Sequence, residues 1–202
     1  MSKWQSVGWE EAEEQVKTAG TFTRDFFLKD GDEATIRILD EEPFNIRDHF
    51  VMGKGWFTCA IEDCPLCERG NKATSHFVFN VLDKREWTDR SGQAHSNEVK
   101  LWRVGVKLLR LLGKKQARKG PINTYDVTVS RLGSGTNTTY DIDVEDDSIG
   151  TEVELPEGQE LYDRAEVLAP RERSELLGIL SNEPQDSSES SDDDNPVPWK
   201  QK

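Results

Sequence analysis

All three cysteines of this 202-residue chain fall within one short stretch, Cys59-Ala-Ile-Glu-Asp-Cys64-Pro-Leu-Cys67, and His49 precedes the first of them. Three thiolates and one imidazole make a complete tetrahedral shell for a zinc ion, and a Cys-x-x-Cys knuckle followed by Gly70 brings two sulfurs to one metal from a tight turn. A filled shell leaves no position for a reacting water, so the expectation is one structural zinc and no catalysis. His49, on the N-terminal side of the loop, is the preferred fourth ligand, with His76 the alternative, while His95 lies in a polar loop where solvation is expected. A disulfide framework fits poorly with an odd cysteine count. A thioredoxin-like pair at Cys64 and Cys67 lacks a surrounding βαβ pattern and leaves Cys59 without a role. The zinc deaminase signature needs H-x-E and P-C-x-x-C, but Asp63 precedes Cys64.

A second set of residues interleaves aromatic rings with cations: Lys54 with Trp56 and Phe57, Lys84 and Arg85 with Trp87, Lys100 and Arg103 around Trp102, and Tyr125 and Tyr140 on either side of Arg131. Single-stranded nucleic acid is held by rings that stack on bases and cations that track phosphates. The competing reading is that rings in strands are core, and one face of the strand carrying Phe77 and Phe79 is read that way. Trp56 and Trp87 stand among Gly, Lys, Arg, Thr and Asp in expected loops, where burial is less expected. Lys114, Lys115, Arg118 and Lys119 end an expected helix, where cations complement the helix dipole or lie on a solvated face. The stretch Arg131-Leu-Gly-Ser-Gly-Thr-Asn-Thr138 lacks the ending of a phosphate-binding P-loop and reads as a hairpin turn.

These residues need elements to position them. Six short runs rich in β-branched and aromatic residues read as strands, at 34–39, 46–52, 76–82, 98–104, 125–129 and 138–144. Leucines 108, 109, 111 and 112 recur at helical spacing over 106–119, before Gly120-Pro121 stops the helix, and 171–180 offers a further short helix. The fold class is therefore mainly β with one or two helices (α+β), an OB-type partly open barrel, with a sandwich as the alternative.

The charge is divided along the chain. The net charge is -13, yet residues 141–202 carry 5 Lys or Arg against 19 Asp or Glu, a net of -14, while 44–120 carry 15 basic against 8 acidic residues, a local +7. A basic centre joined to an acidic end can hold a polyanion and also carry a mimic of one. Residues 181–194 are nearly all Ser, Asp, Glu, Asn, Gln and Pro and cannot bury enough apolar surface to fold. No run approaches the roughly 20 apolar residues of a membrane span, and the N-terminus has no apolar segment for a signal peptide, so a soluble intracellular protein is expected.

The zinc spacing, together with His76-Phe-Val-Phe-Asn-Val-Leu-Asp83, Val99-Lys-Leu-Trp-Arg-Val-Gly105 and the run from Tyr125 to Tyr140, resembles phage single-stranded DNA-binding proteins of the helix-destabilising class, which have an OB fold with an embedded zinc ribbon. The resemblance covers roughly residues 25–145. It implies cooperative coating of single strands during phage DNA replication, recombination and repair in the cytoplasm of an infected bacterial host, with self-association on DNA and an acidic tail that recruits replication and recombination proteins. The expected organisation is an N-terminal arm over 1–24, an OB-type core over 25–145 with the zinc-binding insertion at 49–70, an acidic linker with a short helix over 146–180, and a disordered acidic tail over 181–202. Two departures stand out: the segment between Cys59 and Cys64 is compact, and the tail ends with Lys200 and Lys202 after an aromatic residue. The alternative function is a zinc-ribbon adaptor or regulator that binds proteins and not DNA.

Overall fold

In the computed structural model residues 25–88, 92 and 94–181 are described; the arm expected over 1–24 and the tail beyond residue 181 lie outside them. The chain is mainly β. Seven strands, β1 (Glu33–Ile38), β2 (Phe44–Val51), β3 (Gly55–Thr58), β4 (Thr74–Asp83), β7 (Glu98–Gly105), β8 (Asp126–Leu132) and β9 (Thr139–Val144), form one antiparallel sheet, and β5 (Trp87–Thr88) pairs with β6 (Ala94–His95) in a separate hairpin. The helices are α1 (Pro65–Glu68), α2 (Val106–Lys119), α3 (Arg164–Val167) and α4 (Arg173–Ser181).

Strand β4 organises the sheet. Along one edge it pairs first with β2, through residues 74–78, and then with β1, through 81–83; along the other it pairs with β7. The sheet continues from β1 through β8 to β9 and from β2 to β3. Among the described residues no pairing closes it, so the sheet is open, and the expected partly open OB-type barrel is not established by the pairing.

Because side chains alternate across a strand, one face collects Ala34, Ile36, Ile38, Phe79, Val81, Trp102, Val104, Val127, Val129 and Ile142 into the main core. Leu108 and Leu112, one turn apart on α2, complete it, each contributing roughly 1.5–3 kcal/mol by burial. Helix α2 follows β7 directly and ends at Gly120, whose φ of 97° is one that residues with a Cβ rarely adopt. In the β8–β9 turn Gly133 is required on a second ground, since a Cβ there would lie 2.6 Å from the Asn137 carbonyl oxygen.

The other face is held by polar staples. Arg37 and Asp126 form a buried pair at 2.6 Å, and Arg37 also donates to the carbonyls of Thr151 and Ser148. Further along, Asn80 and Tyr162 exchange hydrogen bonds, and Arg164 pairs with Asp40 at 3.0 Å. Leu168 joins Ile46, Val78 and Leu101 in a second core. The acidic stretch after residue 145 is thus laid along the sheet.

Candidate functional site

Gly53 and Gly55, both at positive φ, turn β2 back into β3. The register pairs His49 with Phe57 and Phe50 with Trp56, so alternation sends the first pair inward and the second outward. Cys59 follows β3 at once. The chain then crosses a tight loop in which Ile61 takes a φ of 63° and Asp63 a φ of 51°, conformations that cost an L residue energy and are retained only where surroundings demand them. Cys64 caps α1, Pro65 occupies its first turn, where its missing N–H costs nothing, and Cys67 lies within the helix.

This path gathers four donors. The ligand atoms of His49, Cys59, Cys64 and Cys67 lie within 4.8 Å of one another and could hold a metal ion. His49 Nε2 is 3.4 Å from Cys64 Sγ and 3.5 Å from Cys67 Sγ, and Cys59 Sγ is 3.6 Å from Cys67 Sγ. The fourth donor is His49, fully buried at 0% exposure. Its Nδ1 is 3.3 Å from Asn71 Oδ1, and Asn71 is itself fixed by donating to the Phe50 carbonyl at 2.9 Å. With the proton on Nδ1, the Nε2 lone pair points at the sulfurs, as a metal-bound imidazole requires. His76, the alternative ligand, lies elsewhere, beside Asp48 at 3.3 Å.

The sulfurs are under electrostatic tension. Desolvation, then the hydrogen bond and charge of Cys59 and the charge of Cys64, push the Cys67 thiol up to about 11. Burial would raise Cys64 as well, but backbone hydrogen bonds from Cys67, Ala60 and Leu66 outweigh it and lower its pKa. A bound cation would offset the negative charge of these closely spaced sulfurs.

Helix α4 seals the knuckle. Leu176 and Leu180 are buried in one cluster with Val51, Phe57, Cys59, Cys64 and Leu66. Arg173 grips Glu68 with two contacts of 2.8 Å, and the helix's last carbonyls, of Ile179 and Leu180, accept from Lys54 and Arg69.

The residues expected to touch DNA divide sharply. Phe57, Trp102 and Tyr125 are buried in the cores, where no base can stack on them: β7 is covered on both faces, and Phe57 faces inward with His49. Tyr140 is half-buried against the main core. Lys100 is buried against Asp83, Arg85 pairs with the same carboxylate, Lys84 pairs with Asp126 and Arg103 with Asp48. Arg131 donates to the Leu28 carbonyl and covers the Phe27 ring. Trp56 alone of the expected tryptophans is strongly exposed, at 42%. Trp87, half-buried, is stacked on His95 with ring centroids 4.3 Å apart and donates to Glu98.

Two features were not fully read in the sequence. Phe50, exposed at 50%, lies against Trp56, and their alternation with His49 and Phe57 around two glycines was the available signal. The other is a stripe on α2: Lys107, Arg110, Lys114 and Arg118 are exposed, share one helix face and have no carboxylate partner among the described residues. No family model matches this chain, and neither a curated protein nor a solved structure matches it significantly.

Proposed function

We propose that this protein binds and coats single-stranded DNA with little sequence preference, without catalysing a reaction. The observation that carries the reading is the α2 stripe. Lys107 sits in the first turn, where a cation opposes the helix dipole, and Arg110–Lys114 and Lys114–Arg118 are like charges one turn apart, each pair unfavourable by about 0.2–0.5 kcal/mol. Four cations unpaired among the described residues share one face in a chain of net charge -13, with Lys107 opposing the helix dipole and the like-charge pairs unrelieved, and a polyanionic ligand gives them a purpose. The outward ring of Trp56 supplies the apolar half of such a ligand's needs.

Within this reading the open sheet, plugged by α2, is a partly open OB-type barrel, and the metal is one structural zinc. A tetrahedral zinc shell has sulfur–sulfur edges of about 3.8 Å and sulfur–nitrogen edges of about 3.6 Å; the observed 3.6, 3.4 and 3.5 Å approach them. His49, Cys59, Cys64 and Cys67 would hold it, and it would supply folding free energy in place of reactivity. The acidic C-terminal tail would compete for the basic surface and recruit replication and recombination proteins during phage DNA metabolism in the host cytoplasm, with self-association on the strand. Tryptophan fluorescence titrated with oligo-dT and with duplex DNA at two salt concentrations tests the proposal. Quenching by oligo-dT that weakens with salt is expected; an adaptor that binds only proteins would leave the fluorescence unchanged.

A further inference from the structure

The face of the sheet that carries Trp56 hides an anomaly directly beneath it. Asp48 of β2 is fully buried, at 0% exposure, and neither carboxylate oxygen has an aligned hydrogen bond. Two groups stand close enough to pair with it electrostatically: Arg103 Nε at 2.8 Å, from β7, and His76 Nδ1 at 3.3 Å, from β4. Burying a carboxylate so thinly satisfied costs several kcal/mol that an apolar residue would not. Its position shows what it holds. Strand alternation puts Asp48, Phe50, Trp56, His76 and Arg103 on one face, and the His76 ring meets Trp56 edge-on, with centroids 4.6 Å apart and planes at 78°. Phe50 supports the same indole at 5.1 Å. The order is then buried carboxylate, adjacent imidazole, exposed indole, with a guanidinium alongside that is 17% exposed and also lies 4.0 Å from Asp25.

We infer that these residues form one nucleotide subsite: an unpaired base stacks on Trp56 and Phe50, Arg103 faces its phosphate, and His76, tethered by Asp48, is the positioning residue that fixes the plane of Trp56. The inference rests on the single-strand reading and deepens it. An indole free to turn about χ1 and χ2 would lose rotamer entropy on each binding event; one already braced edge-on does not, which raises affinity without adding a contact. Edge-to-face geometry is what an aromatic brace provides.

The test uses the full-length protein, short oligo-dT, and zinc content together with thermal unfolding as fold controls. Trp56→Ala and Phe50→Ala should each weaken binding about tenfold, the scale of one lost base stack. His76→Gln keeps a polar contact to Asp48 and removes the ring, whereas His76→Phe keeps the ring edge and removes the tether. With the brace as inferred, His76→Gln weakens binding several-fold and His76→Phe recovers most of it, at unchanged zinc content. Equal binding by His76→Gln and the parent, alongside a loss in Trp56→Ala, would overturn the brace and leave the stacking ring standing. Parental affinity in both Trp56→Ala and Phe50→Ala would overturn the subsite. An absence of oligo-dT binding by the parent itself would instead remove the functional reading beneath it.

Discussion

Leu176 of α4 and Leu66 of α1 are both fully buried, at 0% exposure, in the cluster that also contains Cys59 and Cys64. The helix therefore docks on a surface that exists only while the cysteine knuckle is closed. Metal loading and α4 docking should be linked. Removing a bound metal with a chelator is expected to raise amide hydrogen exchange across α4, and Leu176→Ala is expected to lower stability by about 2–5 kcal/mol and speed metal release to a chromogenic chelator. Exchange in α4 that ignores the chelator would refute the linkage.

The stripe on α2 makes a quantitative claim. Replacing Lys107, Arg110, Lys114 and Arg118 by Gln removes four cations and no buried group. The slope of log affinity against log salt for single-stranded DNA should flatten by about 0.7 for each of those cations that contacts a phosphate. Thermal stability should hold or rise, because like-charge pairs on the helix are relieved. An unchanged slope would place the phosphate path elsewhere.

Asp83 sets an expectation for acid. It is buried and would be raised by desolvation, but hydrogen bonds and charge from Arg85 and Lys100 outweigh that and hold its carboxyl below the usual range. A group depressed in the folded state contributes stability above its unfolded value, about 3.9, and loses it as pH falls through the folded value. Urea midpoints should be insensitive to this group near neutrality and fall below about pH 4. Asp83→Asn should be less stable at pH 7, with buried Lys100 left only its 3.2 Å pairing with Glu98, and should show a shallower decline in acid; a decline of equal steepness would assign it to other carboxylates.

The tail offers a fourth test. Residues 181–202 carry 6 acidic and 2 basic residues, so deletion makes the protein less acidic by 4 charges. Lys54 of the β2–β3 turn donates to the Ile179 carbonyl, so α4 ends beside the hairpin that bears Trp56. A tethered segment acts there at an effective concentration on the order of millimolar. Truncation should raise oligo-dT affinity most at low salt, since screening already weakens the competitor at high salt. Equal affinities throughout a salt series would exclude autoinhibition, and weaker binding would place the tail within the binding site.

Much of this was legible before folding. The candidate ligand set needed only residue types and spacing, apart from the choice between His49 and His76, because a Cys-x-x-Cys turn and a nearby thiol and imidazole constrain one another locally. The six strand segments and α2 were legible from periodicity, which is also local: 34–39, 46–52, 76–82, 98–104, 125–129 and 138–144 fall on β1, β2, β4, β7, β8 and β9, and 106–119 is α2. The short β3, β5 and β6 were not, being too brief to show a period.

The sequence placed Trp56 and Trp87 in loops; they lie instead in β3 and β5, and only the tertiary structure decided that Trp56 faces solvent while Trp87 is half-buried. Trp102 has more basic neighbours in the sequence than Trp56, yet Trp102 enters the main core and Trp56 stands outside it. In β7 the residues from Val99 to Trp102 are buried on both faces, because the main core covers one and Leu168 and its neighbours, more than 60 positions later, cover the other. Lys100 can be buried in that strand because Asp83 on the neighbouring β4, together with Glu98, receives it. His76 likewise braces Trp56 through pairing between strands that are not sequence neighbours. Side-chain period alone says that alternate residues share a face; it takes the pairing partner, and whatever later packs on top, to say which face meets water.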